Sequence, residues 1–196
     1  MRRRTLLRAA LVSASLLGVP RQAFALGGTL PELDQPAPAF SLSGVTPSDT
    51  PGQASGNVLE ATLSLGDFSG RWLVLYFYPR DFTGGCTLEA QRFQQQLGAF
   101  HAAGAEVVGV SADDPDSHAS FCSSEGLAFP LLSDPGGAVS KRYGSWISPF
   151  SQRHTFLIDP QGTLRASWTA VRPNGHALEV LAELQRLQAL SPPQLS

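Results

Sequence analysis

Residues 72–86 read WLVLYFYPRDFTGGC, an apolar and aromatic run followed by a loop with two glycines and then Cys86. The run predicts a buried strand, and the residues after it predict a loop that leads into a helix beginning near Cys86. A helix N-terminus presents unpaired backbone N–H groups and the positive end of the helix dipole, which both favour a thiolate over a thiol. The two glycines before Cys86 and the TLE sequence after it argue against burial in a core. We therefore interpret Cys86 as a reactive cysteine, with a buried and inert cysteine as the alternative.

The first 25 residues have the order of an export signal. Four arginines within residues 1–8 precede an apolar stretch at residues 9–19, and the small-residue pattern AFA follows at residues 23–25. This order predicts a signal peptide over residues 1–25, removed in the mature protein, and export to a periplasm or a thylakoid lumen. The RRTLLR sequence at residues 3–8 also resembles the twin-arginine export motif. An ordinary secretion signal and an organelle transit peptide stay open as alternatives.

The remaining residues, 26–196, are enough for a single domain with a sizeable core. They contain nine lysines and arginines and sixteen aspartates and glutamates, so their net charge is −7. An acidic chain without a basic patch makes nucleic acid and anionic membrane surfaces poor partners. The apolar stretch of the signal is shorter than the about 20 residues that a bilayer span requires, so we predict no membrane span in the mature protein.

Strand and helix patterns alternate along this domain. The predicted strands are residues 39–42, 59–65, 72–78, 106–111, 129–134, 155–159 and 163–168. The predicted helices are residues 83–103, 114–126, 136–143 and 177–189. Residues 45–57 are rich in Pro, Ser, Gly, Asp and Thr, which predicts an exposed loop, and the first strand is expected at a sheet edge. The order predicts an α/β sandwich with a mixed central sheet and helices on both faces.

Pro79, Thr83 and Cys86 have the spacing PxxxTxxC, which matches the active-site pattern of the peroxiredoxins. These are cysteine peroxidases on a thioredoxin-like fold. Within that family the wider string YFYPRDFTGGCTLEA, residues 76–90, most resembles the Q branch, which is also called the bacterioferritin-comigratory type.

Two later segments extend this resemblance to almost the whole predicted domain. FPLLSD at residues 129–134 and RHTFLID at residues 153–159 are similar to segments of the Q branch, and the resemblance as a whole covers residues 31–189. It implies a thioredoxin-like fold, which is a three-layer α/β sandwich. It also implies a thiol-dependent peroxidase that reduces hydrogen peroxide and organic hydroperoxides and is recycled by a thioredoxin-like or other dithiol protein. The branch further implies a monomer.

The resemblance assigns a role to each matched residue. Cys86, as the peroxidatic thiolate, would attack one peroxide oxygen, and Thr83 would place its hydroxyl and backbone N–H at the pocket. Arg153 would bring a fixed positive charge that favours the thiolate and polarises the O–O bond. Pro79 would shape the loop, and Glu89, one helical turn after Cys86, would orient the arginine. On the residues alone, the alternatives are a solvated strand-edge arginine and a carboxylate on a helix surface.

The sulfenic acid that peroxide forms on Cys86 needs a second thiol, because without one it is exposed to over-oxidation. Many members of the Q branch carry this resolving cysteine five residues after the peroxidatic one, but that position is Gln91 here. The resemblance therefore implies that Cys122, in the predicted second helix, is the resolving cysteine. Because a disulfide brings its Cα atoms to about 6 Å, we expect local unfolding around both cysteines. A one-cysteine mechanism with an external thiol, and a purely structural disulfide, stay open.

The residues predict no metal site and no nucleotide cofactor. The four histidines have no ligand spacing, and the sequence has neither a glycine-rich phosphate loop nor a dinucleotide-binding fingerprint. We expect His154 to lie at the surface or at the rim of a pocket. The rival functions are a disulfide reductase, for which the CxxC motif is missing, and a copper-delivery or holdase protein of thioredoxin-like shape, for which CxxxC is missing.

Overall fold

The computed structural model describes residues 24–25, 27–48 and 58–190. Both strands and helices occur in this part of the chain. The strands are β1 (Phe24–Ala25), β2 (Gly28–Thr29), β3 (Ser41–Pro47), β4 (Val58–Ser64), β5 (Trp72–Phe77), β6 (Ala105–Ser111), β7 (Leu131–Ser133), β8 (Trp146–Ile147), β9 (Phe150–Ser151), β10 (His154–Ile158) and β11 (Leu164–Trp168). The helices are α1 (Gly84–Ala102), α2 (Pro115–Glu125), α3 (Ala138–Arg142) and α4 (Pro173–Leu190), and a 3₁₀ turn occupies Leu65–Phe68. Strands β1 and β2 pair with each other, as do β8 and β9.

The main sheet has β5 in its interior, between β10 and β6. The strand order is β11-β10-β5-β6-β7-β3-β4, in which β5, β6 and β7 are parallel to one another and the other neighbours are antiparallel. All six residues of β5 are buried, as expected for a strand covered on both faces of the sheet. The sheet is therefore mixed, as the sequence predicts, and the predicted hairpins pair β3 with β4 and β10 with β11.

Helices pack on both faces of this sheet, as predicted. The alternation of β5 points Val74 and Tyr76 to one face, where apolar residues of α1, α2 and α4 join them in one cluster. Leu75 and Phe77 point to the other face, where they pack with Val139 of α3 and with apolar residues of the 3₁₀ turn and the loops. The loop between β5 and α1 lies at the edge where the three parallel strands end, which is where α/β sheets commonly place their functional sites.

Strand β3 differs from its prediction in length and in position. It extends to Pro47, into the segment predicted as a loop, and Val45 is buried. It is not an edge strand either, because it lies between β7 and β4. The close pairing with β7 requires a glycine at residue 44, since a Cβ there would lie 2.1 Å from the carbonyl oxygen of Leu131. Residues 49–57 of the predicted loop lie outside the described residues.

Helix α2 lies within its predicted range and has residues at both ends that suit helix termini. Asp114 is the N-cap, its side chain accepts a hydrogen bond from the backbone N–H of Ser117 at 2.8 Å, and Pro115 is the first helical residue. Gly126 ends the helix with a φ of 64°, a left-handed conformation that suits glycine. These ends place Cys122 in the last turn of α2.

Most of the predicted export signal falls outside the described part of the chain, namely residues 1–23. Its last two residues, Phe24–Ala25, form β1. Among the residues that the structure describes, no helix combines the length and the apolar character that crossing a membrane requires.

Candidate active site

Cys86 lies in the first turn of α1 and is buried. The helix begins at Gly84, so the predicted place of Cys86 at a helix start, beside unpaired N–H groups, is confirmed. Its side chain is only 1% exposed, which corrects the expectation that its neighbours keep it out of the core. The reason is that Cys86 lies on the apolar stripe of α1, one turn before Ala90 and two before Phe93, and this stripe packs on Tyr76 of the sheet.

Arg153 contacts the thiol beside the end of β5. It directly precedes β10, whose first residue, His154, pairs with Phe77 at the end of β5. The side chain of Arg153 is therefore next to the loop, where its Nη2 donates a hydrogen bond to Cys86 Sγ at 3.4 Å. Burial disfavours the charge, but Glu89 and Cys86 raise the pKa of Arg153 above its usual value, so the guanidinium stays positive.

Glu89 is a buried carboxylate and not a helix-surface one. It is 1% exposed, and its Oε2 accepts a hydrogen bond from Nη1 of Arg153. Burial raises the pKa of Glu89 to about 7, although the guanidinium opposes this shift. The second oxygen, Oε1, is buried with no hydrogen-bond partner among the described residues. Cys86, Arg153 and Glu89 thus form one connected group, with the guanidinium between the sulfur and the carboxylate.

Thr83 and Pro79 lie on the same loop, but the structure describes no hydrogen bond from either of them to Cys86. Thr83 is the exposed N-cap of α1, and its hydroxyl donates to the carbonyl oxygen of Arg80 at 3.0 Å instead of capping the helix. With its proton donated to Arg80, this hydroxyl oxygen can still accept a hydrogen bond. Pro79 is half-buried and restricts the backbone where the loop leaves β5.

Cys122 is fully buried in the last turn of α2. Burial, and after it the charge of Asp81, raise the pKa of Cys122 to about 12. Cys86 and Cys122 belong to the same apolar cluster, but both are free thiols. Gln91, where other members of the Q branch carry their resolving cysteine, donates a hydrogen bond from Nε2 to Glu125 Oε2 at 2.8 Å. That bond ties α1 to the end of α2.

A buried polar cluster around Asp81 is absent from the sequence predictions. Oδ1 of Asp81 accepts a hydrogen bond from the Tyr78 hydroxyl at 2.7 Å. Oδ2 accepts one from Ser117 Oγ at 2.7 Å and lies 2.9 Å from His118 Nδ1. The one signal in the sequence is that Ser117 and His118 follow directly on the capped start of a helix. Nothing in the sequence pairs them with a loop residue 36 and 37 positions earlier.

His154 is buried, which corrects its predicted place at the surface or at a pocket rim. It is 1% exposed, both ring nitrogens lack a hydrogen-bond partner among the described residues, and burial lowers its pKa. The ring is therefore neutral at neutral pH. Within the described ranges, no three His, Cys, Asp or Glu side chains converge in a way that suits a metal ion.

Comparison with known protein families identifies the family of the chain. The family model described as the AhpC/TSA family matches residues 33–167, which is more than half of the chain. The chain belongs to the AhpC/TSA family. The match includes the loop before α1, both cysteines and Arg153.

Relatives in the AhpC/TSA family carry the name peroxiredoxin. Peroxiredoxin Bcp of Xanthomonas campestris is 42% identical over 126 residues, which are 60% of this chain and 78% of that protein. A putative peroxiredoxin bcp of Coxiella burnetii is 37% identical over 161 residues, which are 78% of this chain and 98% of that protein. A solved structure of the Xanthomonas campestris bacterioferritin comigratory protein matches with a TM-score of 0.65 and 34% identity, over 74% of this chain and 90% of that one.

Fold and enzyme class follow from these likenesses. The fold is the thioredoxin-like fold of the AhpC/TSA family, and the resemblance to the Q branch is confirmed. The chain is a thiol-dependent peroxidase, and its two cysteines are consistent with a two-cysteine mechanism.

Proposed function

We propose that Cys86 is the residue that reacts with the peroxide. The observation that supports this most directly is the hydrogen bond from Arg153 Nη2 to Cys86 Sγ, made in the first turn of α1. A guanidinium and a helix N-terminus both stabilise a negative sulfur, and the thiolate is the form that attacks. Cys122 lies near the C-terminal, negative end of α2 and not at a helix N-terminus. Burial raises its pKa to about 12, which favours the thiol over the thiolate.

In the first step the sulfur of Cys86 attacks the terminal oxygen of a hydroperoxide. The S–O bond forms as the O–O bond breaks, so that the sulfur is oxidised to a sulfenic acid and the peroxide is reduced. The other oxygen leaves as hydroxide or alkoxide and takes a proton from solvent, which gives water or an alcohol. Arg153 stabilises the negative charge as it moves from the sulfur to the departing oxygen. Thr83 accepts a hydrogen bond from the peroxide O–H, since its own proton is donated to Arg80.

Glu89 acts through Arg153 as a positioning residue. Its carboxylate binds Nη1, which fixes the planar guanidinium so that Nη2 points to the sulfur of Cys86. Pro79 has a geometric role, because it fixes the backbone at the start of the loop and brings no donor.

In the second step Cys122 resolves the sulfenic acid. The S–S bond forms, the S–O bond breaks, and the hydroxyl group leaves as water with the proton of the Cys122 thiol. A thioredoxin-like dithiol protein then reduces the disulfide by exchange and supplies the two electrons. We propose hydrogen peroxide and organic hydroperoxides as substrates. The Xanthomonas campestris structure compared above concerns the alkyl peroxide reduction activity of that protein.

Stopped-flow kinetics of two single-cysteine variants test these assignments. Cys86→Ser should abolish peroxide reduction. Cys122→Ser should keep the wild-type second-order rate of Cys86 oxidation, because Arg153 and the α1 N-terminus remain in place, and should accumulate a sulfenic acid on Cys86 that mass spectrometry detects. In the wild type, the same treatment should give an intramolecular Cys86–Cys122 disulfide. Peroxide reduction by Cys86→Ser, or a rate in the wild type equal to that of free cysteine, contradicts the proposal.

Export and a monomeric state also belong to the proposal. They are supported by the arginine-rich and then apolar order of residues 1–25 and by the resemblance to the Q branch. N-terminal sequencing of protein from a periplasm or a thylakoid lumen should find Leu26 first, and sedimentation equilibrium should give the mass of one chain. Retention of residues 1–25 on protein found in the cytoplasm, or the mass of two chains, contradicts the corresponding part.

A further inference from the structure

A buried cluster joins the loop before Cys86 to the helix that carries Cys122. This Asp81 cluster consists of Tyr78, Asp81, Ser117 and His118. Its first two members lie between β5 and α1, and its last two lie at the start of α2. His118 is four residues, about one helical turn, before Cys122, so the two side chains lie on the same face of α2.

The contacts of the Asp81 cluster are short and shielded from water. The carboxylate of Asp81 is bound at both oxygens, by the Tyr78 hydroxyl at 2.7 Å on one and by Ser117 Oγ at 2.7 Å and His118 Nδ1 at 2.9 Å on the other. His118 is 0% and Asp81 4% exposed. Hydrogen bonds to an ionised carboxylate are stronger than neutral ones, and a low local dielectric strengthens them further. These contacts therefore hold the start of α2 firmly to the loop.

One other feature of the same contact favours separation of α2 from the loop. Nε2 of His118 is buried without a hydrogen-bond partner among the described residues, and it gains one from water only when α2 moves away. Phe82 has a φ of 56°, unusual for a residue other than glycine, and its ring packs on Phe121 of α2 with the centroids 5.1 Å apart, which adds an apolar contact between the loop and α2. The N–H of Asp81 also donates to Asp113 Oδ2 at 2.9 Å, and Asp113 directly precedes the N-cap of α2, so this bond adds to the hold of the loop on the start of α2.

We infer that Asp81, Ser117 and His118 form a latch that holds α2 closed and sets the rate at which Cys122 reaches the sulfenic acid on Cys86. The inference rests on the function proposed above. When the latch opens, the Cys122 sulfur bonds to the Cys86 sulfur, the S–O bond breaks, and water leaves with the thiol proton. The structure describes no hydrogen bond or ion pair from these three residues to Arg153 or Glu89, so the latch acts on the second step and not on the reaction with peroxide.

Ser117→Ala tests the latch, with Ser120→Ala as the matched control. Both changes replace serine by alanine on α2, but Ser120 is exposed and lies outside the Asp81 cluster. Loss of one hydrogen bond to a carboxylate should raise the peroxide-independent rate of disulfide formation about tenfold in Ser117→Ala. The second-order rate of Cys86 oxidation should stay at the wild-type value, and Ser120→Ala should change neither rate. Ser117→Thr, which keeps the hydroxyl, should restore the wild-type rate of disulfide formation.

Alkylation of Cys122 measures the opening of α2 without any peroxide. In a Cys86→Ser background Cys122 is the only thiol of the chain, so its rate of reaction with N-ethylmaleimide reports how often α2 opens. Ser117→Ala in this background should accelerate alkylation by the same factor as it accelerates disulfide formation in the two-cysteine protein. Asp81→Asn, which weakens all the bonds of the cluster, should accelerate it further.

The outcomes separate the latch from the proposed function. The latch is overturned if Ser117→Ala leaves both rates within about twofold of the wild type, a change smaller than one such hydrogen bond provides. It is equally overturned if Gln91→Ala, which frees the other end of α2, accelerates both rates and Ser117→Ala does not. If the wild type fails to react with peroxide but Ser117→Ala still accelerates alkylation, the proposed function fails and the latch on α2 stands.

Discussion

One guanidinium serves two partners in this site. Arg153 binds the carboxylate of Glu89 with Nη1 and the sulfur of Cys86 with Nη2. A planar group with several fixed donors can do this, whereas a lysine ammonium is a single point of charge that reaches one of the two. The geometry therefore depends on arginine and not only on a positive charge.

Arg153→Lys should slow the oxidation of Cys86 by about a hundredfold, the size seen when one donor to a developing charge is lost. The control is Arg165→Lys, because Arg165 is a half-exposed arginine of β11 that pairs with Asp34 and Asp159 and lies away from the thiol. Stopped-flow measurement of the second-order rate with hydrogen peroxide checks both variants. Equal rates in Arg153→Lys and the wild type would show that charge alone is sufficient.

The buried thiol of Cys122 should make the protein sensitive to alkali. Its pKa is about 12 in the folded chain against an ordinary value of 9.0, so between these values the folded state keeps a proton that the unfolded state releases. This contribution to stability is complete below pH 9 and is lost as the pH rises, by up to about 1.4 kcal/mol per pH unit. Urea unfolding at about pH 8 and about pH 10 should therefore show a larger loss in the wild type than in Cys122→Ala. If the wild type and Cys122→Ala lose the same free energy of unfolding between these two pH values, the buried thiol of Cys122 is not the cause.

The first turn of α1 has a low intrinsic helix propensity. Gly84 and Gly85 are its first two residues, and glycine loses more backbone freedom on entering a helix than any other residue. A Cβ on Gly85 would lie 3.1 Å from Arg153 Nη2, so that position is constrained by the site. A Cβ on Gly84 meets no atom within 4 Å, so its flexibility is not required by packing.

Gly84→Ala should stabilise the protein and slow its second catalytic step. Gly98→Ala is the control, because it also lies in α1, is exposed, and has no atom within 4 Å of the added Cβ. Both changes should raise the free energy of unfolding by about 0.5–1 kcal/mol. Only Gly84→Ala should slow disulfide formation, if the first turn has to unwind for Cys86 to meet Cys122. Equal rates of disulfide formation in the two variants would show that only α2 has to move.

Local patterns predict the elements well where a single face decides them. Helix α1 follows from the apolar stripe that includes Cys86, and α2 follows from Asp114-Pro115 at its start and Gly126 at its end. Strand β3 was predicted too short because Gly44 and Pro47 look like loop residues. In the folded chain only a glycine at residue 44 is small enough to allow the close approach of β7. No local sequence pattern reveals this contact.

The two cysteines share one core with three helices and the sheet. The apolar cluster that covers one face of the sheet contains Cys86, Cys122 and residues of α1, α2 and α4. Closing a disulfide between separate buried helices disturbs this packing, so oxidation should loosen the whole molecule. That is the opposite of the usual effect of a disulfide, which stabilises a fold by restricting its unfolded state.

Hydrogen exchange should measure this loosening. The amides of α2, Pro115–Glu125, should exchange faster in the oxidised than in the reduced protein, and the free energy of unfolding should fall on oxidation. Peroxide-treated Cys122→Ser is the control, since it forms no intramolecular bond and should keep the exchange pattern of the reduced protein. Slower exchange throughout the oxidised wild type would mean that the bond fits the closed fold.

The sequence predicts the site residues only where a motif or the family resemblance identifies them. The PxxxTxxC spacing indicates Cys86 and the resemblance adds Arg153, but the burial of the thiol depends on where α1 packs. The pairing of Asp81 with His118 joins residues 37 positions apart. It exists because parallel strands end at one edge of the sheet and bring the loop after β5 beside the start of α2.

Glu89 gives the site a response to acid. Because burial raises the pKa of its carboxyl to about 7, mild acidification neutralises it while the guanidinium beside it stays charged. Below that pH Arg153 loses the one carboxylate that forms an ion pair with it among the described residues. A neutral Glu89 no longer holds Nη1 through an ion pair, so the guanidinium should lose its fixed orientation toward the sulfur as the pH falls through about 7.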